Sequence, residues 1–140
     1  MKRNLLIAFV AVACVLTACK KYEEGPAFSL RSAKARLSGD WKVASFSIDG
    51  VDQTASYLAT IGNNFVIDIE KDGKYRVEGS FTDEGSWELG EDGDDVRFKS
   101  DAAGSTEDSY RILKLKNKEL WLKQTQTNGE VHETHFEPAD

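Results

Sequence analysis

Three things are scarce in this sequence: cysteine, positive charge, and apolar runs long enough to cross a bilayer. Its two cysteines, Cys14 and Cys19, both lie near the N-terminus, so a chain cut before Cys19 keeps one thiol and closes no internal disulfide. The fold must then rest on core burial alone, although export would permit disulfides. Lysine and arginine number 18 against 24 acidic residues, a formal charge of −6. Without a basic surface to neutralise phosphates, nucleic-acid binding is disfavoured as a function class. An acidic chain is also repelled by anionic headgroups, which leaves covalent lipid rather than a polybasic patch to hold it at a membrane. The apolar run at residues 5–15 falls short of the roughly 20 residues that a spanning helix needs. Catalytic signatures are missing too: no serine sits in a nucleophile elbow, and no glycine-rich phosphate loop precedes a helix. No pair of carboxylates is singled out for glycoside cleavage. Neither an enzyme activity nor a cofactor is expected.

What is present first is an address. Lys2, Arg3 and Asn4 form a charged start, residues 5–15 an apolar stretch, and Leu16-Thr17-Ala18-Cys19 a bacterial lipobox. Cleavage before Cys19 would leave that cysteine to carry acyl chains such as palmitate, each buried methylene contributing about 0.8 kcal/mol to anchoring. An uncleaved transmembrane anchor is the alternative, and the length and flanks of the run count against it. The organisation expected is a signal peptide over residues 1–18, a lipidated cysteine and linker over 19–36, and one domain over 37–138. Losing Lys2 and Arg3 takes the formal charge from −6 to −8. The expected setting is the cell envelope, at the outer membrane, either periplasmic or surface-exposed, with the protein a monomer.

Gly25 and Pro26 break any helix early in the linker, and Ser29 is placed to N-cap a short turn that puts Leu30, Ala33 and Leu37 on one face. A wholly disordered linker is the other reading. After Leu37, apolar and polar residues alternate, with turn signals every eight to twelve residues, the pattern of a β-sandwich or barrel. Trp41 and Val43 switch phase to Phe46 and Ile48, which predicts a bulge near Ala44-Ser45. Tyr57, Leu58 and Ile61 suggest a short helix ended by Gly62. Phe65, Ile67 and Ile69 turn at Asp72-Gly73 into Tyr75, Val77 and Phe81, with Gly79 where an inward side chain is expected. Asp83-Glu84-Gly85 reads as the next turn, leading into Trp87 and Leu89. Turns at 91–95, a loop at 101–108, and turns at Asn117 and Asn128-Gly129 separate the remaining strands. Those strands carry Val96 and Phe98, then Tyr110 and Ile112, then Leu120 and Leu122, then residues 130–137. That makes eight strands joined mostly by tight turns. They should pair antiparallel as an up-and-down meander, and closure removes two open edges. The expected fold is all-β, an eight-stranded antiparallel barrel; a two-sheet sandwich is the alternative.

Several stretches also carry a family resemblance: Cys-Lys-Lys-Tyr-Glu-Glu-Gly-Pro at 19–26 with Ser29-Leu30-Arg31-Ser32, Ser38-Gly39-Asp40-Trp41-Lys42-Val43, Gly85-Ser86-Trp87, and Glu119-Leu120-Trp121-Leu122. In this order they resemble the lipocalin-like lipoproteins of Bacteroidota, over most of the mature chain. The resemblance implies a small exported β-barrel, in a family mostly of unassigned function. Gly39-Asp40-Trp41 is similar to the lipocalin first-strand motif, whose tryptophan packs across the closed end. Glu23 and Glu24, soon after Cys19, are similar to the signals that send such lipoproteins to the cell surface. This chain is shorter than ordinary lipocalins and lacks their disulfides and long C-terminal helix.

Trp41, Phe65, Tyr75, Trp87, Phe98 and Tyr110, with Phe81, share the parity assigned to the interior, and the first six are the ligand-binding candidates. They would suit a small apolar ligand, with tyrosine hydroxyls fixing its orientation. They would equally serve as core, because eight strands leave room for their own side chains or for one small ligand. So many bulky residues favour filling. Two functions follow: a tethered carrier of a small hydrophobic molecule or lipid, or a filled barrel that meets an envelope protein or glycan. Trp121 has the parity opposite to Leu120 and Leu122, so it should stand exposed if those two face inward. His132-Glu133-Thr134-His135 nearly spells a zinc-protease motif, but on a strand residues three apart point to opposite faces. The acidic run at 91–95 does not fit a calcium loop and reads as a solvated turn.

Overall fold

Alternating sequences bury one face of a strand, and here that face closes on itself. The computed structural model describes residues 32–140. The strands, in chain order, are β1 (Gly39–Ile48), β2 (Val51–Asp52), β3 (Val66–Ile69), β4 (Lys74–Glu78), β5 (Thr82–Leu89), β6 (Asp95–Ser100), β7 (Glu107–Lys116), β8 (Glu119–Thr125) and β9 (Val131–Pro138). Each strand from β3 onward pairs antiparallel with the next, β3 pairs with β1, and β9 returns to β1 from Trp41↔Pro138 to Ile48↔His132. The eight-stranded barrel read from the alternation is therefore closed. A ninth strand, the two-residue β2, folds back on the end of β1. The bulge expected near Ala44-Ser45 lies between Val43 and Ser45, and it carries the inward set of β1 from Trp41 and Val43 to Phe46. A second bulge falls between Ile112 and Lys114, and both Ile112 and Leu113 are buried.

One turn is displaced from its expected place. Asp83-Glu84-Gly85 is not a turn but the body of β5, and the chain reverses over residues 79–81, where Glu78 pairs with Thr82. Gly79 lets the backbone pass against Ile61, and Ser80 N–H donates to the Ile61 carbonyl at 2.8 Å. Gly85 lies flat against β6, where a Cβ would collide with the Lys99 carbonyl. Phe81, expected on the inner face, falls at the turn and is 48% exposed.

The two ends of the barrel are covered differently. Helix α1 (Ala33–Leu37) covers the end from which β1 departs. Its N-cap is Ser32, whose Oγ accepts from Ala35 N–H at 3.1 Å, not Ser29, which lies outside the described residues. Leu37 is fully buried, so the packed unit includes this helix. Arg36 Nη1 donates to the Leu115 carbonyl at 2.6 Å, and Trp41 Nε1 donates to the Leu37 carbonyl at 2.8 Å. Trp87 Nε1 donates to the Glu70 carbonyl at 2.8 Å, with Lys34 Nζ 5.7 Å from its ring centroid. This end is filled.

The short helix that Tyr57, Leu58 and Ile61 predict is α2 (Thr54–Ile61), and it lies at the opposite end. Gly62 ends it with a φ of 99°, a backbone region open to glycine. Tyr57 stacks on Phe46 at 4.0 Å, and Ile61 is buried. Ser80 fastens the C-terminus of α2 through its N–H to Ile61 and its Oγ to the Thr60 carbonyl. Thr54 Oγ1 fastens the other end by accepting from Phe46 N–H at 2.9 Å.

Candidate functional site

Between these two ends, inside the mouth beneath α2, the barrel encloses a cavity of about 270 Å³. Its floor is aliphatic, from Ile69, Val77, Leu120 and Leu122, and its walls are aromatic. Four of the six candidate residues line it: Phe65, Tyr75, Phe98 and Tyr110. Phe98 stands edge-on to Tyr75 at 5.3 Å and to Tyr110 at 6.0 Å, which sets the three rings as a continuous wall. The other two, Trp41 and Trp87, do not reach the cavity. They pack at the α1 end, 2% and 5% exposed, with their indole N–H groups spent on backbone carbonyls. Cys19, the expected signal segment and the expected linker up to residue 31 lie outside the described residues.

The alternation did not reveal the polar part of the lining. Asp83 points into the barrel from β5, where Tyr75 Oη donates to its Oδ2 at 2.8 Å and Ser100 Oγ donates to its Oδ1. Counting back from Trp87 in twos reaches Gly85 and then Asp83, so the period carries the signal, and the turn-like composition of Asp83-Glu84-Gly85 hides it. Asp108, at the start of β7, and Thr134 complete the polar lining, while Tyr57, Ile61 and Phe81 come from α2 and the β4–β5 turn. Asp108 and Phe81 are both exposed, so the cavity reaches solvent on the side of the mouth that they border.

The three phenols are held in their protonated form. Burial, the hydrogen bond to Asp83 and that carboxylate's charge push Tyr75 well above the ordinary tyrosine value. Tyr110 is pushed up to about 12, first by burial, then by Asp108 and by Tyr57. Burial alone raises Tyr57. No hydrogen bond to Tyr57 Oη or Tyr110 Oη is made by the described residues, so both hydroxyls are free for a guest.

The β9 motif divides between the two faces of the sheet, as strand geometry requires. His132 sits edge-on to Phe46 at 5.4 Å, with Nε2 3.2 Å from Glu130 Oε2. His135 lies on the outer face, stacked on Trp121 at 3.9 Å and 3°, with Nε2 2.6 Å from Glu133 Oε1. Trp121 faces outward as its parity predicts, yet it is not bare. His135 covers one side of it, and Lys114 Nζ lies 4.2 Å from its ring centroid.

No protein-family model matches this chain, and no curated protein matches it. Among solved structures it is similar to a lipocalin-like protein from Bacteroides uniformis ATCC 8492. The two are 14% identical, with a TM-score of 0.55 over 74% of this chain and 99% of that one. At that identity the likeness speaks to fold alone. The fold is a lipocalin-like barrel. Eight strands of this kind leave room inside for their own side chains and one small cavity, as here.

Proposed function

We propose that this protein is a non-catalytic carrier, held at the cell envelope by acyl chains on Cys19, that binds one small and largely apolar molecule inside its barrel. The observation that carries this reading is the cavity of about 270 Å³ beneath α2, walled by Phe65, Tyr75, Phe98 and Tyr110. For scale, an apolar cavity of about 150 Å³ takes up benzene. This one has room for a compact guest of on the order of ten heavy atoms, at about 30 Å³ per water-sized unit. A long acyl chain does not fit within it, so a small hydrophobic molecule is favoured over a lipid. Closure of the sheet through β1 and β9 leaves little edge for strand addition, which supports a monomer. The alternative of a wholly filled barrel meeting a protein or glycan has support only at the α1 end.

Native mass spectrometry of the mature protein, released gently from its host's envelope, tests the carrier reading. A reproducible small-molecule adduct, lost on denaturation and absent from Val77→Phe, is the expected result. Adducts of equal abundance in Val77→Phe, whose added ring occupies the cavity, would refute it. The tether is tested separately: radiolabelled palmitate should enter the chain and not Cys19→Ala, and equal labelling of both would rule out lipidation at Cys19.

A further inference from the structure

The charge of the cavity lining is one-sided. Asp83 and Asp108 line it, and no lysine, arginine or histidine does so among the described residues. His132, near the same rim, is already paired with Glu130. The carboxylates stand beside phenols rather than alone: Asp83 is bonded to Tyr75, and Asp108 is close enough to Tyr110 to act on its phenol. Asp83 accepts one hydrogen bond at each oxygen from Tyr75 and Ser100, which leaves further lone pairs for a guest. Behind these acids lie the faces and edges of Phe65, Phe98 and Tyr110. An aromatic enclosure with carboxylates at its opening and no base suits an organic cation: the ring fills the apolar volume, and the charge meets carboxylate, phenol oxygen and π-face together. A fatty acid or an aromatic acid would instead bring a third carboxylate against Asp83 and Asp108.

Resting on the carrier reading, we infer that the guest is a small aromatic or alicyclic amine, bound with its ring among Phe65, Phe98 and Tyr110 and its ammonium group at the mouth against Asp108 and Asp83. The helix that crosses the mouth does not need to move for this. Ser80 and Thr54 tie α2 at both ends, so the route in runs between Phe81 and Asp108, past the carboxylates that select the charge.

Three probes of similar size and different charge test it: 2-phenylethylamine, 2-phenylethanol and phenylacetate. Each is titrated calorimetrically at neutral pH into the mature protein in phosphatidylcholine nanodiscs, with empty discs as the blank. The amine should bind about tenfold more tightly than the alcohol at low salt, with phenylacetate weakest, and the gap should narrow at high salt. Asp108→Asn, a change at an exposed position that spares the core, should bring the amine close to the alcohol. Val77→Phe should abolish binding of all three. Equal or tighter binding of phenylacetate would overturn the charge inference while leaving the carrier reading intact. An amine preference undiminished in Asp108→Asn, or retained in Val77→Phe, would place the cation elsewhere and overturn it too. No binding by any probe would overturn the amine inference, and the adduct measurement above then decides the carrier reading by itself.

Discussion

Truncating an aromatic should cost different amounts at the two ends of this barrel, although the sequence pattern treats the positions alike. Trp87 is 5% exposed, packs in the filled end and gives its indole N–H to the Glu70 carbonyl. Trp87→Ala leaves a void that the closed sheet cannot collapse around, at about 3–5 kcal/mol for a large aromatic. Loss of the hydrogen bond brings the cost to the upper part of that range, since a neutral bond is worth about 1 kcal/mol. Phe98 faces the cavity, so Phe98→Ala enlarges a space that already exists and reaches water. Only the transfer of the ring from the interior is lost there, about 2 kcal/mol. Urea unfolding followed by far-ultraviolet circular dichroism measures both without relying on tryptophan emission. If Trp87→Ala falls below folding competence, as total stabilities of about 5–15 kcal/mol allow, Trp87→Leu supplies the comparison. Equal losses at the two sites, or a larger loss at Phe98, would refute the division of the barrel into a filled and an open half.

Gly85→Ala should destabilise by about 2–3 kcal/mol, because its Cβ meets the Lys99 backbone rather than a movable side chain; unchanged urea stability would contradict that packing. Leu37→Ala should cost about 2–5 kcal/mol, since α1 seats this fully buried side chain in the core, and a loss under about 1 kcal/mol would detach the helix from the fold. Alkaline pH should also unfold the domain. Tyr110 and Tyr75 are raised in the folded state, so the folded chain holds those protons more tightly than the unfolded one, whose phenols ionise near 10. The stability is present below about pH 10 and falls as pH climbs towards 12. Tyrosinate absorbance near 295 nm should rise together with loss of structure, and early, non-cooperative ionisation of all the tyrosines would be inconsistent with this.

Barrel closure was legible because parity and turn chemistry agreed along most of the chain. Asp72-Gly73, Asn117 and Asn128-Gly129 turn where they should, and the phase switch after Val43 marks a real bulge. The misplacement at β5 has a specific origin. Asp-Glu-Gly is turn-like by composition, yet Gly85 is there for closeness to β6 and Asp83 for its bonds to Tyr75 and Ser100. Local preference gave way to tertiary contacts that no window of neighbouring residues contains. The true turn at Gly79 shows in the sequence only as a glycine in an inward position, because its partner, the end of α2, is distant in sequence.

Parity also tells which side chains face inward but not how high along the barrel axis they sit, and height decides whether an inward aromatic is core or cavity wall. Trp41 and Trp87 lie at the level where α1 delivers Leu37, and the three side chains occupy the end together. Phe65, Phe98 and Tyr110 lie at the other level, where the covering helix cannot descend because Ser80 and Thr54 hold it across the rim. The same residue types therefore serve two purposes within one barrel. What separates them is a pair of short helices tied in different ways, and neither tie has a sequence period. A test of this reasoning is to loosen the tie rather than alter the wall. Ser80→Ala removes the Oγ bond to the Thr60 carbonyl but keeps the backbone bond to Ile61. If the tie is what keeps the cavity open, this variant should expose the α2 amides to faster hydrogen exchange and weaken 2-phenylethylamine binding together. Faster exchange with unchanged binding would instead show that the aromatic wall keeps its shape without the helix above it.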